Sequence, residues 1–348
     1  MPTTPAITIG FPVYNVEKYV QKSLESAINQ DFENFEIIVI DDCGKDNSIE
    51  VIKALITSHP KGDKVRIIKH EQNKGLAEAR NTVIKNAKGK YIYFMDSDDY
   101  IFPQALSLLY KTAEQYQADC VFSSNIKQEG ERTWTDSDDV LPERHFLKDG
   151  EFVTYVYMTP HALVPITAWN IMFKTCFIHD NGLFYPNIRY QEDIAFNELF
   201  HPLVKRAVFL SEQTYCYVIR RDSLMNKTYR PTINIEEAYR AFHLCEIIKD
   251  SCQKWKNESF YCGKCAVVMR NCFYDMGGLL KHKKQFTNPL PLNQVRDAMR
   301  HPASLIEILH FKQFKKDNLF YYIMGVLPTF LSISLMDYVC KKKGFYKN

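Results

Sequence analysis

YIYFMDSDD, residues 91–99, decides how this chain is read: an apolar, aromatic run stops at four positions, three of them aspartates. Tyr91–Met95 has the unbroken hydrophobicity of a strand buried on both faces. Asp96, Asp98 and Asp99 follow without a spacer. Carboxylates at the end of a buried strand are costly unless a cation or hydrogen-bond donors meet them. Two carboxylates around one small residue can hold a hard divalent cation and leave coordination sites for phosphate oxygens. The same four letters recur at Asp136-Ser137-Asp138-Asp139. No apolar strand precedes that copy, so it reads as a solvated loop.

Working outward, similar runs occur at Ala6–Phe11, Phe35–Ile40, Val65–Lys69 and Asp119–Phe122. Helix-period segments lie between them, near Val16–Asn29, Asn47–Thr57, Leu76–Ala87 and Pro103–Tyr116. Alternation of this kind predicts an α/β protein with a mostly parallel, Rossmann-like sheet and helices on both faces. Ligands of such sheets bind at the carboxyl ends of the strands. Asp41-Asp42 stands at one such end and Pro12-Val13-Tyr14-Asn15 at another. Asn73-Lys74-Gly75 leads into a helix carrying Arg80, whose guanidinium suits phosphate. Glu192-Asp193 follows a turn around Pro186. Each has a plainer reading: Asn15 as a helix cap, Asp42 as a turn residue, Arg80 as a surface ion pair, Glu192-Asp193 as a charge pair at a helix N-terminus.

Residues 124–150 are polar and read as an exposed insertion. From about residue 231 the pattern becomes helical, at Glu236–Lys256, Phe260–Lys281 and Asn293–Lys315. These features divide the chain into an α/β domain, 1–228, and a mainly helical region, 229–348. The formal net charge of +3 conceals an asymmetry. Residues 241–348 carry 17 Lys and Arg against 8 Asp and Glu, while the remainder is net acidic. Within that basic part, Leu319–Met336 is an 18-residue uncharged stretch bracketed by lysines and tyrosines. Gly325, Pro328, Ser332 and Ser334 weaken it as a spanning helix. The segment 315–348 is expected instead to lie peripherally on an anionic membrane surface.

Ten cysteines and an N-terminus without a signal-peptide pattern imply reduced thiols in the cytoplasm, at the inner face of the membrane if the tail binds there. Cys262 and Cys265 form a lone CxxC, which reads as buried helix-face thiols. No GxGxxG follows the first strand, which argues against a dehydrogenase, and no nucleic-acid-binding module is recognisable.

Five segments carry a more specific likeness: ITIGFPVYNVEKYVQKSLESAINQ, FEIIVIDDCGKDNS, NKGLAEARN, GKYIYFMDSDDY and RYQED. Together they resemble glycosyltransferase family 2, inverting enzymes with a GT-A fold, of the kind that builds bacterial surface polysaccharides. The likeness is dense over residues 6–100, reaches residue 193 and fades beyond 230. It implies that Pro12, Tyr14 and Glu17 line a base pocket, with Asp42 contacting the base and Arg80 near the nucleotide. Asp96 would approach the ribose or sugar, and Asp98, closing the DXD motif, would hold Mg²⁺ or Mn²⁺. Asp193, with Glu192 beside it, would be the general base. Trp169 would stand on the acceptor side, although the Lys that the family commonly has two positions later is Ile171 here. Arg220-Arg221-Asp222-Ser223 resembles the family's later arginine–serine segment. The implied reaction moves a sugar from a UDP-sugar to a hydroxyl of a saccharide or lipid-linked saccharide. A catalytically idle nucleotide-sugar-binding or assembly subunit, or a nucleotidyltransferase, are the alternatives.

Overall fold

The computed structural model describes residues 4–189, 191–220 and 232–344. Two compact units emerge: Met1–Val156 with Leu163–Ser223, and Tyr157–Ala162 with Leu224–Asn348. The boundary expected at 228/229 lies outside the described residues, as do Arg221, Asp222 and Ser223.

The first unit is one sheet clothed by helices. Its strands are β1 (Ile7–Val13), β2 (Phe35–Asp41), β3 (Val65–Lys69), β4 (Tyr91–Phe94), β5 (Tyr100–Ile101), β6 (Cys120–Glu129), β7 (Arg132–Trp134), β8 (Arg144–Phe146), β9 (Ile171–Lys174) and β10 (Ala207–Val218). The spatial order is β3-β2-β1-β4-β9-β6-β10-β5, with β7 beside β6 and β8 beside β10. β3, β2, β1 and β4 are mutually parallel, as the alternating pattern predicts. β9 then runs antiparallel to both β4 and β6, making the sheet mixed.

The connecting helices are α1 (Val20–Ile28), α2 (Ser48–Ser58), α3 (Leu76–Asn86), α4 (Ala105–Tyr116), α5 (Glu151–Met158), α6 (Thr175–Asp180) and α7 (Glu192–Phe200). α1 begins several residues later than its apolar periodicity suggests, because Val16 and Glu17 give their amides to Ser48 Oγ and Asp46 of the next loop. Ile9, Phe11, Ile37, Val39 and Tyr93 of the sheet are buried with Leu24, Ile28 and Leu109 of the helices in one hydrophobic core. Gly75 supplies the positive φ (88°) from which α3 starts, a conformation that disfavours a side chain.

Residues 124–150 are mostly exposed, as expected, but they also extend the sheet. β6 runs on to Glu129, β7 folds back on it, and β8 joins β10, with Ser124, Asn125, Leu141 and Phe146 buried. Lys127, Gln128 and Glu129 are polar and at most half-buried, so the segment has too few apolar letters to resemble a strand in sequence.

The second unit holds α8 (Glu236–Gln253), α9 (Tyr261–Lys281), α10 (Leu292–Ala298), α11 (Leu305–His310), α12 (Lys315–Val326) and α13 (Thr329–Lys342). Cys262 and Cys265 sit buried on α9. The continuous helix expected over Asn293–Lys315 is broken after Ala298. Ser304 starts α11 afresh, accepting from the Glu307 amide while the Glu307 carboxylate accepts from Ser304 N–H in a reciprocal cap. The uncharged stretch 319–336 is likewise divided, because Pro328 cannot continue α12 and caps α13 instead. Among the described residues, no helix is long and apolar enough to cross a membrane.

Candidate active site

Because β1, β2, β3 and β4 are parallel, their carboxyl ends gather four loops along one edge. The β1 and β2 loops are stitched together: Lys45 N–H donates to Asn15 Oδ1 at 2.7 Å, and Asn47 donates through its backbone and side-chain nitrogens to the Glu17 carboxylate. Glu17 thus holds the two loops together. Pro12 is buried at the end of β1, while Tyr14 is 46% exposed, leaving an aromatic face open. Asp42 is buried, and its carboxylate accepts the amides of Lys74 and Gly75 at 2.8 Å, with His70 Nδ1 2.7 Å away. It anchors the loop that launches α3.

Arg80, on α3, is fully packed rather than a surface residue. One arm of its guanidinium meets Glu192 at the start of α7, and the other reaches Asp96 Oδ1 at 3.0 Å. The Tyr185 ring lies 5.4 Å from its centre. Burial alone would favour loss of its proton, but Asp96 and Glu192 outweigh that and raise its pKa. Arg80 thereby ties the DSDD loop to the segment carrying Asp193.

The aspartates of that loop have separate surroundings. Asp99 is buried, donated to by Tyr215 Oη and by the Val218 amide, both at 2.7 Å. Burial raises its pKa well above the carboxylate range, and Asp98 and Asp96 add to the effect. Asp96 and Asp98 stay partly open to solvent, and Asp98 pairs with Arg220. Oxygens of all three lie within 4.8 Å of one another. This all-oxygen set fits a hard divalent cation, which commonly takes one or two carboxylates together with substrate phosphates. Asp98 and Asp96 are the members able to hold it, since both Asp99 oxygens are engaged.

Asp193 lies in the first turn of α7 and accepts from the Ile194 amide at 2.9 Å. Burial pushes it up to about 7, with the neighbouring Glu192 adding and Arg80 opposing. A carboxyl poised near neutrality is suited to general acid–base work. Trp169 lies flat against Tyr215 (ring centroids 4.5 Å apart) and Tyr217 (5.7 Å). It is fixed by its neighbour Asn170, whose side chain bonds Tyr93, Thr214 and the carbonyls of Ser123 and Ser124.

Asn15, Cys43, Asn170 and Gln191 all have positive φ, between 53° and 58°. Such backbone costs about 1–3 kcal/mol per residue and tends to collect at functional sites. Tyr215, Tyr217 and Arg220 are absent from the residues singled out by sequence spacing, apart from Arg220 within its resembling segment. The alternation Tyr215-Cys216-Tyr217 on one strand is the signal that places both rings on one face.

Residues 8–177 match the family model described as glycosyl transferase family 2. Glycosyltransferase EpsJ of Bacillus subtilis (strain 168) is 29% identical over 304 residues, 85% of this chain and 87% of its own length. Glycosyltransferase GlyA of Streptococcus pneumoniae serotype 4 is 32% identical over 224 residues, 63% of this chain but 31% of that longer protein. Among solved structures, residues 1–349 of Staphylococcus aureus TarS share the fold with a TM-score of 0.67 at 19% identity, covering 97% of this chain and 92% of that one. Residues 8–177 thus form a glycosyl transferase family 2 domain, and the chain is a glycosyltransferase with a GT-A fold.

Proposed function

We propose that this glycosyltransferase works by inversion, uses a divalent metal, and moves a sugar from a UDP-sugar to a hydroxyl of a saccharide or lipid-linked saccharide. The observation that carries the reading is Arg80, which joins Asp96 to Glu192 and so holds the DSDD loop against the Asp193 turn. Donor phosphates and an acceptor hydroxyl would then meet between two fixed sets of carboxylates. TarS was solved with UDP-GlcNAc and with UDP, which supports a UDP-sugar as donor. A mannosyltransferase from Pyrobaculum calidifontis with a TM-score of 0.50 was solved with GDP-Man and Mn²⁺, which supports the metal.

In this reading the exposed Tyr14 ring stacks on the base, with Pro12 behind it and Asp42 and Glu17 holding the surrounding loops. A bound Mg²⁺ or Mn²⁺, held by Asp98 with Asp96 alongside, would offset the charge developing on the leaving diphosphate. Arg220, beside Asp98, adds a second positive group on that side. Asp193 removes the proton from the acceptor hydroxyl as its oxygen attacks the anomeric carbon from the opposite face, forming the new glycosidic bond as the bond to the diphosphate breaks. Glu192, paired with Arg80, keeps Asp193 oriented. Trp169 lies on the acceptor side.

We further place the second unit at a membrane surface. Val326 and Phe330 flank the turn between α12 and α13 and are 58% and 69% exposed, with Ile323 and Leu331 exposed nearby. Exposed Lys315 and Lys316 begin α12, and Lys341, Lys342 and Lys343 end α13. Apolar side chains between basic clusters suit a shallow contact with anionic lipid.

The donor reading is tested by incubating the full chain with UDP-, GDP- and TDP-sugars, with Mn²⁺, Mg²⁺ or a chelator, and measuring thermal shift and nucleotide release. Metal-dependent stabilisation and release specific to uridine nucleotides is expected. Stabilisation by none of the nucleotides would overturn the reading.

A further inference from the structure

A cavity of about 190 Å³ lies between β6, the segment around Asp138–Leu141 and the segment leading to β9. Sites for drug-sized ligands run to roughly 300–1,000 Å³, so this one suits a single small ring. One wall is aromatic: the Trp169 and Tyr217 rings both line it and lie parallel, 6° apart. Beside it on the same sheet face stand Lys127, in register with Tyr217, and Asn125, and Asp138 and Asp139 complete a polar rim. Aromatic rings bordered by an amide, an ammonium and carboxylates suit a pyranose, since its C–H face rests on an aromatic ring and its hydroxyls both donate and accept.

Two observations indicate that the cavity is built for a ligand. Asn125 is only 8% exposed, yet its Nδ2 has no hydrogen-bond partner among the described residues. Buried amide donors are normally satisfied, so an unmet one on a cavity wall marks a place for an acceptor atom from outside. The charge on the rim is also specific. Lys127 Nζ is held by Asp136 at 2.6 Å and by Asp139 at 2.9 Å, and Asp138 adds a further carboxylate. The rim is therefore net negative, which admits a neutral hydroxylated ring and repels a phosphate or uronate.

The location connects it to the reaction. Tyr215, beneath Trp169, receives the Asp96 amide and donates to Asp99. Thr167, which lines the cavity, accepts through its carbonyl from Asn197, and Asn197 also donates to the Asp193 carbonyl. The lining residues Trp169 and Thr167 are thus connected, through Tyr215 and Asn197, to the Asp96–Asp99 loop and to the Asp193 turn. We propose that it is the subsite that selects the acceptor, receiving a neutral pyranose unit through Asn125 and the Lys127–Asp139 pair. This rests on the transferase reading above. It also gives the second DSDD copy a role: Asp138 and Asp139, in the largely exposed turn between β7 and β8, border the site.

The test titrates the full chain, saturated with UDP and Mn²⁺, with methyl glucoside, galactoside and N-acetylglucosaminide and with their 6-phosphates, followed by tryptophan fluorescence and saturation-transfer NMR. Asn125→Ala and the cavity-filling Leu163→Trp are compared with the native chain, and UDP affinity serves as the control for folding. At least one neutral glycoside should bind, its 6-phosphate at least tenfold more weakly. Both variants should lose tenfold or more in glycoside affinity while keeping UDP affinity. Equal binding of the 6-phosphate, no binding of any neutral glycoside, or unchanged glycoside affinity in both variants would overturn the proposal. Nucleotide release from UDP-sugars, measured in parallel, separates the two readings. Glycoside binding without any release would contradict the transferase mechanism, whereas release with cavity variants that bind glycosides normally would contradict only the subsite.

Discussion

The Tyr215 hydroxyl donates to Asp99 at 2.7 Å and accepts the Asp96 amide at 3.1 Å, so one phenol on β10 fixes both ends of the DSDD loop. The last aspartate of the motif is therefore a structural anchor, and its partner sits 116 residues away in the chain. Tyr215→Phe keeps the ring against Trp169 but leaves Asp99 with one donor fewer. An unmet buried partner costs about 1–3 kcal/mol. Urea denaturation should show a loss of that size, and metal-dependent donor affinity should fall with it.

Arg80 is predicted to be the least replaceable cation of the first unit. Arg80→Ala would leave Asp96 and Glu192 facing each other without compensation, and breaking a buried pair from one side costs about 3–5 kcal/mol. Arg80→Lys keeps the charge, but a single ammonium lacks the planar fork that reaches two carboxylates. Its loss in transfer rate should exceed its loss in stability. Kinetics and denaturation on the same preparation check the order.

The pH dependence follows from Asp193, which burial raises to about 7. In the unfolded chain the carboxyl titrates in its ordinary range, near 4. Between that range and about 7 the folded state holds a proton that the unfolded state has released, so this group's contribution to stability falls as pH rises through the window. Asp193→Asn cannot ionise and should remove that slope from stability measured between pH 4 and 8. Transfer has the opposite trend, because a general base must be deprotonated. The acid limb of kcat/KM should lie near pH 7 and move lower in Glu192→Gln, which removes the neighbouring negative charge.

At the α12–α13 turn, Val326→Glu with Phe330→Glu places carboxylates where the apolar contact is proposed. Co-sedimentation with vesicles containing anionic lipid should be lost, and nucleotide binding should be retained. Equal sedimentation of the native chain and the double variant would rule out this face.

Sequence reading reached the parallel half of the sheet because β1, β2 and β4 are buried on both faces and appear as unbroken apolar runs. It also separated the two DSDD copies correctly as to which one ends a buried strand. The second copy lies in an exposed turn after β7, as expected, whereas the end of β6 and β7 itself carry polar and charged residues and look like loop in sequence. The break in the Asn293–Lys315 helix was legible in principle, as Ser304 and Glu307 have the spacing of a reciprocal cap. Contacts between distant segments were not legible. Arg80 with Glu192, Tyr215 with Asp99 and Trp169 with Tyr217 depend on β9 and β10 joining the sheet, which no local pattern specifies.

The central claim is that Asp193 takes the proton from the acceptor hydroxyl. Sugar transfer by native chain and by Asp193→Asn, at saturating Mn²⁺ with UDP affinity measured alongside, tests it most directly. General-base catalysis contributes about 10²–10⁴-fold, so the variant should lose at least a hundredfold in kcat while binding UDP as the native chain does. Transfer by Asp193→Asn at a rate close to the native chain's would contradict the account.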